Sequence, residues 1–158
     1  MKIRTRINGR STIIIGLMAI LLLPTLAIGR GTTDSCGEAL SSEFVIKKLN
    51  DTSGKFVEKD TIPCHLQDGN FVFWKGDQYS TLKSGASNLP DSDKVKQTDS
   101  IGSKTFEYDG SFMGHTVEVG FLTAKKNYTV MVTLIGKDAS LEKARMIASE
   151  IHDNLNNK

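Results

Sequence analysis

The first 29 residues constrain the fold more than any other part of the chain, because their pattern is that of a membrane or signal segment and not of a globular domain. Nineteen residues without a charge, 11–29, follow four basic ones, Lys2, Arg4, Arg6 and Arg10. Basic residues stay on the cytoplasmic side of a membrane, so this pattern predicts insertion with the N-terminus inside and everything after Arg30 outside. The globular fold must then be built from residue 30 onward.

The uncharged segment fits both a membrane anchor and a cleaved signal peptide. At about 1.5 Å per residue, a helix of this length just spans a bilayer core of about 30 Å. Pro24 divides the segment, however, and leaves an apolar core at 13–23 followed by small residues at 27 and 29, which is typical of a signal peptide and its cleavage site. We expect either a single-pass cell-membrane protein with its C-terminal domain outside the cytoplasm or a protein secreted after cleavage.

The charge balance changes sign once this leader, residues 1–29, is set aside. The whole chain has 20 Lys and Arg residues against 18 Asp and Glu residues, and four of the basic ones lie in the leader, which leaves 16 against 18. Only Arg30 and Arg145 are arginines after the leader, whereas nucleic-acid recognition favours guanidinium groups. The basic character of the chain therefore indicates topology, and we expect no nucleic-acid partner.

The remaining residues, about 129, suffice for one domain with one core. Residues 30–35 have no apolar side chain and predict a short tether before a domain at 36–158. Cys36 and Cys64 both lie outside the membrane in this topology, where thiols are commonly oxidised, so they predict one disulfide. The alternative is a nucleophile or metal ligand, with His65 beside Cys64, although one His and one Cys fall short of the ligands of a zinc site.

Hydrophobic patterns predict the secondary structure. Strand patterns occur at 44–49, 55–59, 70–75, 78–82, 104–108, 111–113, 115–124 and 128–135. Gly76-Asp77 and Asp109-Gly110 predict hairpin turns, and for 44–49 a short helix capped by Gly54 is the alternative. Residues 83–100 are polar and predict a long loop.

The clearest element is a helix at 141–155. One apolar stripe at helical spacing comprises Leu141, Ala144, Ala148, Ile151 and Leu155. Ser140 is a suitable N-cap for it, and the strand at 128–135, apolar on both faces, is typical of a central strand. These patterns predict an α+β domain, with an antiparallel sheet of about five to seven strands and the C-terminal amphipathic helix packed on one face.

Local motifs for catalysis or metal binding do not occur in the sequence. There is no G-x-S-x-G elbow, no P-loop and no H-E-x-x-H pair, and the histidines, isolated at 65, 115 and 152, are typical of surface or loop positions. The acidic run at 91–93 fails the EF-hand pattern, because Val95 and Lys96 stand where a ligand and a glycine are required. We therefore predict no catalytic residue, no metal and no cofactor.

Aromatic residues supply the best candidate for a binding surface. In the strand at 70–75, alternation separates Phe71 and Phe73 from Trp74, so Trp74 is expected on the face opposite the core. Trp74 and Tyr79, with the segment 83–100, form a predicted recognition patch. The alternative is that the aromatic residues of this region belong to the core and that Trp74 only covers the sheet.

Two sequons also occur on the exported side of the chain. They are Asn50-Asp51-Thr52 and Asn127-Tyr128-Thr129, which make Asn50 and Asn127 candidate glycosylation sites.

Together these features predict a non-enzymatic binding module of the cell envelope. Its partners would be the membrane, through the N-terminal segment, and an envelope protein or ligand. A small envelope hydrolase is an alternative, because catalytic residues that are dispersed in sequence leave no local signature. A structural envelope subunit that associates through a sheet edge is a second alternative.

Overall fold

A six-stranded antiparallel sheet organises the residues that the computed structural model describes, 36–50 and 63–156. Its strands are β1 (Cys64–Leu66), β2 (Gly69–Lys75), β3 (Lys96–Thr98), β4 (Lys104–Gly110), β5 (Thr116–Leu122) and β6 (Tyr128–Ile135), in the spatial order β1-β2-β6-β5-β4-β3. The helices are α1 (Cys36–Ala39), α2 (Ser42–Leu49), α3 (Tyr79–Ala86) and α4 (Leu141–Asn156), with a short 3-10 helix at Ser92–Lys94. The predicted α+β class, the antiparallel sheet and the C-terminal helix are confirmed.

One side of the sheet, the closed face, is covered by α1, α2 and α4. Alternation along the central strands directs to this side a set of fully buried residues: Val117, Val119, Phe121, Val130, Val132 and Leu134. Helix α4 packs on β5 and β6, and Ser140 caps it by accepting a hydrogen bond from the Lys143 N–H at 3.2 Å. Fully burying an Ile or Leu side chain contributes about 2 kcal/mol, so the buried stripe of α4, with Ile147 and Ile151, holds the helix to the sheet.

A disulfide joins α1 to the edge strand β1, as the sequence predicts. The Cys36 and Cys64 sulfurs are bonded, with 5.7 Å between the two Cα atoms, and each cysteine is 1% exposed. Helix α1 in turn contacts α4. The covalent link therefore fixes the beginning of the domain and one sheet edge to the same core.

The opposite side of the sheet is covered over only part of its width. Helix α3 packs on β4 and β5, where Tyr79 and Ala86 meet Phe106 and Leu122. The Tyr108 hydroxyl donates to the carbonyl of Pro90 at 2.6 Å, which holds the chain after α3 against β4. This arrangement leaves β2 and β6 as the less covered half of that side.

The prediction of a strand at 44–49 is wrong, because these residues form α2. The β-branched Val45 and Ile46 favour a strand locally, but the Ser41 hydroxyl accepts a hydrogen bond from the Phe44 N–H at 3.2 Å and caps a helix. Val45 and Leu49, one helical turn apart, both pack on the core of the closed face. The helix ends at Asn50 in the left-handed conformation, with φ of 53°, and not at Gly54.

The prediction of a hairpin through Gly76-Asp77 into a strand at 78–82 is also wrong, because α3 begins at Tyr79. The Asp77 carboxylate accepts a hydrogen bond from the Tyr79 N–H at 3.0 Å and starts the helix. A strand would direct Tyr79 and Leu82 to opposite faces, whereas a helix brings both, with Ala86, against the sheet. Burial of this stripe therefore favours the helix.

The long loop predicted at 83–100 is wrong for most of its length. It contains the end of α3, the 3-10 helix and the edge strand β3, which pairs with β4. Lys96 and Gln97 of β3 are exposed, and an exposed edge strand of polar residues lacks the apolar alternation by which strands are identified. The sequence pattern therefore resembled a loop.

The turn predicted at Asp109-Gly110 and the strand predicted at 111–113 are wrong as well. Strand β4 continues to Gly110, which pairs with Thr116, and the chain reverses at 111–115, where Met113 and Gly114 have φ of 54° and 100°. A side chain at position 110 would collide with the Tyr108 hydroxyl, so glycine provides space for packing there.

The leader, the tether at 30–35 and the strand predicted at 55–59 lie outside the described residues. Within the part of the chain that the structure describes, none of the helices has the length and apolar character needed to cross a bilayer.

We expect the disulfide to stabilise the domain strongly. Replacing both cysteines, Cys36→Ala with Cys64→Ala, should lower the free energy of unfolding by about 3 to 4 kcal/mol, because the bond closes a loop of 28 positions. Urea unfolding of the full chain in detergent measures the difference. Ser80→Ala with Ser84→Ala, two exposed positions, is the control, and an unchanged midpoint for the cysteine variant would contradict the expectation.

Candidate binding surface

The less covered half of the sheet presents a mixed apolar and polar surface. We call it the open half-face and define it by the residues of β2 and β6 that point away from the closed face: Asn70, Val72, Trp74, Met131, Thr133 and Ile135. The register pairs Asn70 with Thr133 and Val72 with Met131, so these side chains are direct neighbours. Most are half-buried, and Ile135 is 37% exposed. A partner can therefore contact a contiguous patch there.

Trp74 lies on this surface, as the alternation in the sequence predicts. Phe71 and Phe73 are buried on the closed face, whereas Trp74 is half-buried on the other side and pairs with Thr129. The Thr129 hydroxyl accepts from the Gln78 N–H at 2.8 Å and donates to the Gly76 carbonyl at 2.7 Å, which fixes the turn that leaves β2.

Tyr79 does not share the surface with Trp74. It is 4% exposed, its ring packs edge to face on Phe106 with 5.8 Å between ring centroids, and the Lys104 Nζ lies 5.7 Å from the Tyr79 centroid. Burial, and then the charge of Asp99, raises the pKa of the Tyr79 phenol. Of the two predicted aromatic contacts, only Trp74 lies on the open half-face, and β3 and the 3-10 helix of the segment 83–100 pack on β4 instead.

Glu118 lies at the border between the open half-face and the part covered by α3. Its neighbours across the strands are Thr133 on β6 and Tyr108 on β4. The residue is 8% exposed, and burial raises the pKa of its carboxyl, while a hydrogen bond from the Thr133 hydroxyl acts in the opposite direction. This buried acid was missed at the sequence level because Glu118 sits in an alternating strand, where a polar residue normally indicates exposure.

The two candidate glycosylation sites differ in their surroundings. Asn50 is exposed at the end of α2. Asn127 is half-buried, and its side-chain oxygen accepts a hydrogen bond from the Thr123 hydroxyl at 2.7 Å in the turn between β5 and β6. The Asn127 side chain therefore supports this turn.

The three histidines of the described ranges have different surroundings. His115 Nε2 lies 2.8 Å from the Asp109 carboxylate, His152 Nδ1 lies 3.1 Å from that of Asp153, and His65 is exposed on β1. No Ser or Cys of the described residues is hydrogen-bonded to any of the three. His152 also packs edge to face on Phe121 and is half-buried, which differs from the surface position that the sequence predicts.

One small cavity lies away from the open half-face, between α2, α4 and the turn after β1. Leu49, Leu66 and Ile147 line it, and the Lys143 Nζ contacts the Asp68 carboxylate at 2.7 Å beside it. It has room for about one water molecule. Among the described residues, no three His, Cys, Asp or Glu side chains are placed to hold a metal ion.

Comparison with known proteins finds no matching family model, no similar curated protein and no similar solved structure.

The raised pKa of Glu118 predicts a pH-dependent cost to stability. The folded state holds the Glu118 proton more tightly than the unfolded state, so this residue lowers the free energy of unfolding as pH rises through its unfolded and then its folded pKa. We expect Glu118→Gln to match the wild type at low pH and to become more stable than it as pH rises.

Urea unfolding of the full chain at a series of pH values measures this difference, with Glu43→Gln as the control for loss of one carboxylate at an exposed position. A Glu118→Gln variant that loses stability relative to the wild type as pH rises would contradict the assignment.

Proposed function

We propose that the chain is a binding module of the cell envelope, exported or membrane-anchored, that recognises another protein through the open half-face. The observation that carries the proposal is the asymmetry of the sheet. Three helices bury the closed face, whereas β2 and β6 present Trp74, Val72 and Ile135 on the other side without a helix of the described ranges packed across them. Apolar side chains that remain accessible on a sheet face are typical of interaction sites.

The location outside the cytoplasm is proposed from two independent features. The basic residues followed by the uncharged segment 11–29 predict export of everything after Arg30. The disulfide between Cys36 and Cys64 is the kind of bond that persists in oxidising compartments and is rare in the cytosol. Both features support an exported domain.

A protein partner suits this surface better than a small molecule. Small-molecule sites are concave and enclose most of the ligand, whereas the open half-face consists of adjacent side chains on two paired strands. Trp74 and the Val72–Met131 pair lie on the same side of β2 and β6, and aromatic and Met side chains are enriched in protein interfaces. We therefore propose a protein at the cell envelope as the ligand.

Capture experiments with matched variants test this function. The full chain, purified in detergent and immobilised, is expected to retain a discrete set of envelope proteins from membranes of its own cells. Trp74→Ala and Ile135→Asp should each reduce the retained amount by about tenfold or more, because central interface residues contribute about 2 kcal/mol or more.

Ile46→Asp is the matched control, since Ile46 is 54% exposed on α2 and lies away from the open half-face. Thermal unfolding of each variant verifies that it folds. Equal retention by the wild type and both open half-face variants would contradict the binding proposal. Free thiols at both cysteines in protein taken from its own cells would contradict the proposed location.

A further inference from the structure

Two buried glutamates on neighbouring strands differ in whether a cationic side chain pairs with them. Glu107, 3% exposed on β4, points to the closed face, where Arg145 of α4 donates hydrogen bonds to both carboxylate oxygens at 2.7 and 2.6 Å. Glu118, 8% exposed on β5, points to the opposite side, where its cross-strand neighbours are the neutral residues Tyr108 and Thr133. None of the ion pairs among the described residues includes Glu118.

An unpaired buried carboxylate makes the free energy of folding less favourable, and a neutral side chain at the same position would not. Burying a charge without a counter-charge is unfavourable. At Glu107, the other buried glutamate, Arg145 provides that counter-charge. A glutamine would keep the contact with the Thr133 hydroxyl without the charge. The negative charge of Glu118 therefore serves no partner within the described part of the chain, and such perturbed groups are concentrated at functional sites.

The surroundings of Glu118 fit an organic cation. Tyr108, on one side, already donates its hydroxyl proton to the Pro90 carbonyl, and Thr133, on the other, is a neutral neighbour. Ile135, 37% exposed, follows Thr133 on the same side of β6, so the aliphatic stem of a lysine or arginine can lie on it while its charged head reaches the carboxylate. A calcium or magnesium ion would need about six oxygen ligands, and the cross-strand neighbours of Glu118 add no second carboxylate.

We infer that Glu118 receives a lysine or arginine side chain of the partner protein that docks on the open half-face. This inference rests on the proposed function. A protein supplies the cation, because a single carboxylate holds a free amine weakly, whereas a protein adds contacts with Trp74, Val72 and Ile135. Charge complementarity at Glu118 then selects the partner, and the apolar contacts supply the buried area.

A random library of 12-residue peptides displayed on phage tests the inference, with the full chain in neutral detergent as the target. Selected peptides are expected to carry a lysine or arginine at a fixed position relative to their apolar residues. Affinity of a selected peptide should fall by about tenfold or more with Glu118→Gln, and by a similar factor when citrulline or norleucine replaces its basic residue. Glu43→Gln is the matched control and should leave the affinity unchanged.

A second measurement separates recognition from a structural effect of the substitution. In the wild type, carboxyl-carbon NMR follows the titration of Glu118, and the selected peptide should lower the pKa of this group, because a nearby cation stabilises the carboxylate.

Two results separate the role of Glu118 from the proposed binding function of the open half-face. Peptides that lose affinity with Trp74→Ala, but bind Glu118→Gln and the wild type equally, would overturn the inference and keep the binding surface. Selection of peptides that are insensitive to Trp74→Ala, Ile135→Asp and Glu118→Gln alike would overturn both.

Discussion

The pairing of β5 with β6 is the interaction on which the rest of the structure depends. Seven residue pairs align the two strands in the centre of the sheet, from Thr116 with Ile135 to Leu122 with Thr129. Because side chains alternate along each strand, this one register fixes both surfaces at once. It directs the valines of both strands to α4, and it places Glu118 beside Thr133 on the other side. A shift by one residue would exchange the core and the candidate site.

This pairing determines which residues form the closed face, and the disulfide attaches α1 to the edge of the sheet. Helices α1 and α2 precede the sheet in the chain, and the bond between Cys36 and Cys64 attaches them to the edge strand β1. The ion pair of Arg145 with Glu107 extends the contact of α4 toward β4. The elements that stabilise the domain are thus concentrated on one side, and the other side is less covered at β2 and β6.

The sequence predicts those elements whose pattern has a single structural meaning. The stripe of α4, the alternation in β5 and the apolar strand β6 are long and regular, and the two cysteines admit one intramolecular pairing. Short segments are predicted less well because burial against the rest of the fold, and not the local pattern, determines their secondary structure. Val45 and Ile46 favour a strand until the Ser41 cap and the core are considered, and α3 is recognisable only when Tyr79, Leu82 and Ala86 are seen to share a helical face.

The candidate site was predictable only in part for the same reason. Alternation predicts Trp74 opposite the core, as observed, but the strand pattern at 78–82 also predicts Tyr79 on that surface, whereas α3 buries it. Glu118 gave no signal, since a glutamate in an alternating strand normally faces solvent. Its burial is produced by neighbours on β4 and β6 that are distant in the sequence.

Photo-crosslinking in intact cells tests most directly whether the open half-face binds a partner. A photoreactive amino acid is placed in the full chain at position 135, on the open half-face, or at position 46, on α2; the isoleucines at both positions are exposed. If the open half-face binds a partner, a discrete crosslinked protein is expected from position 135 and none from position 46. Crosslinks of the same kind from both positions, or from position 46 alone, would contradict it.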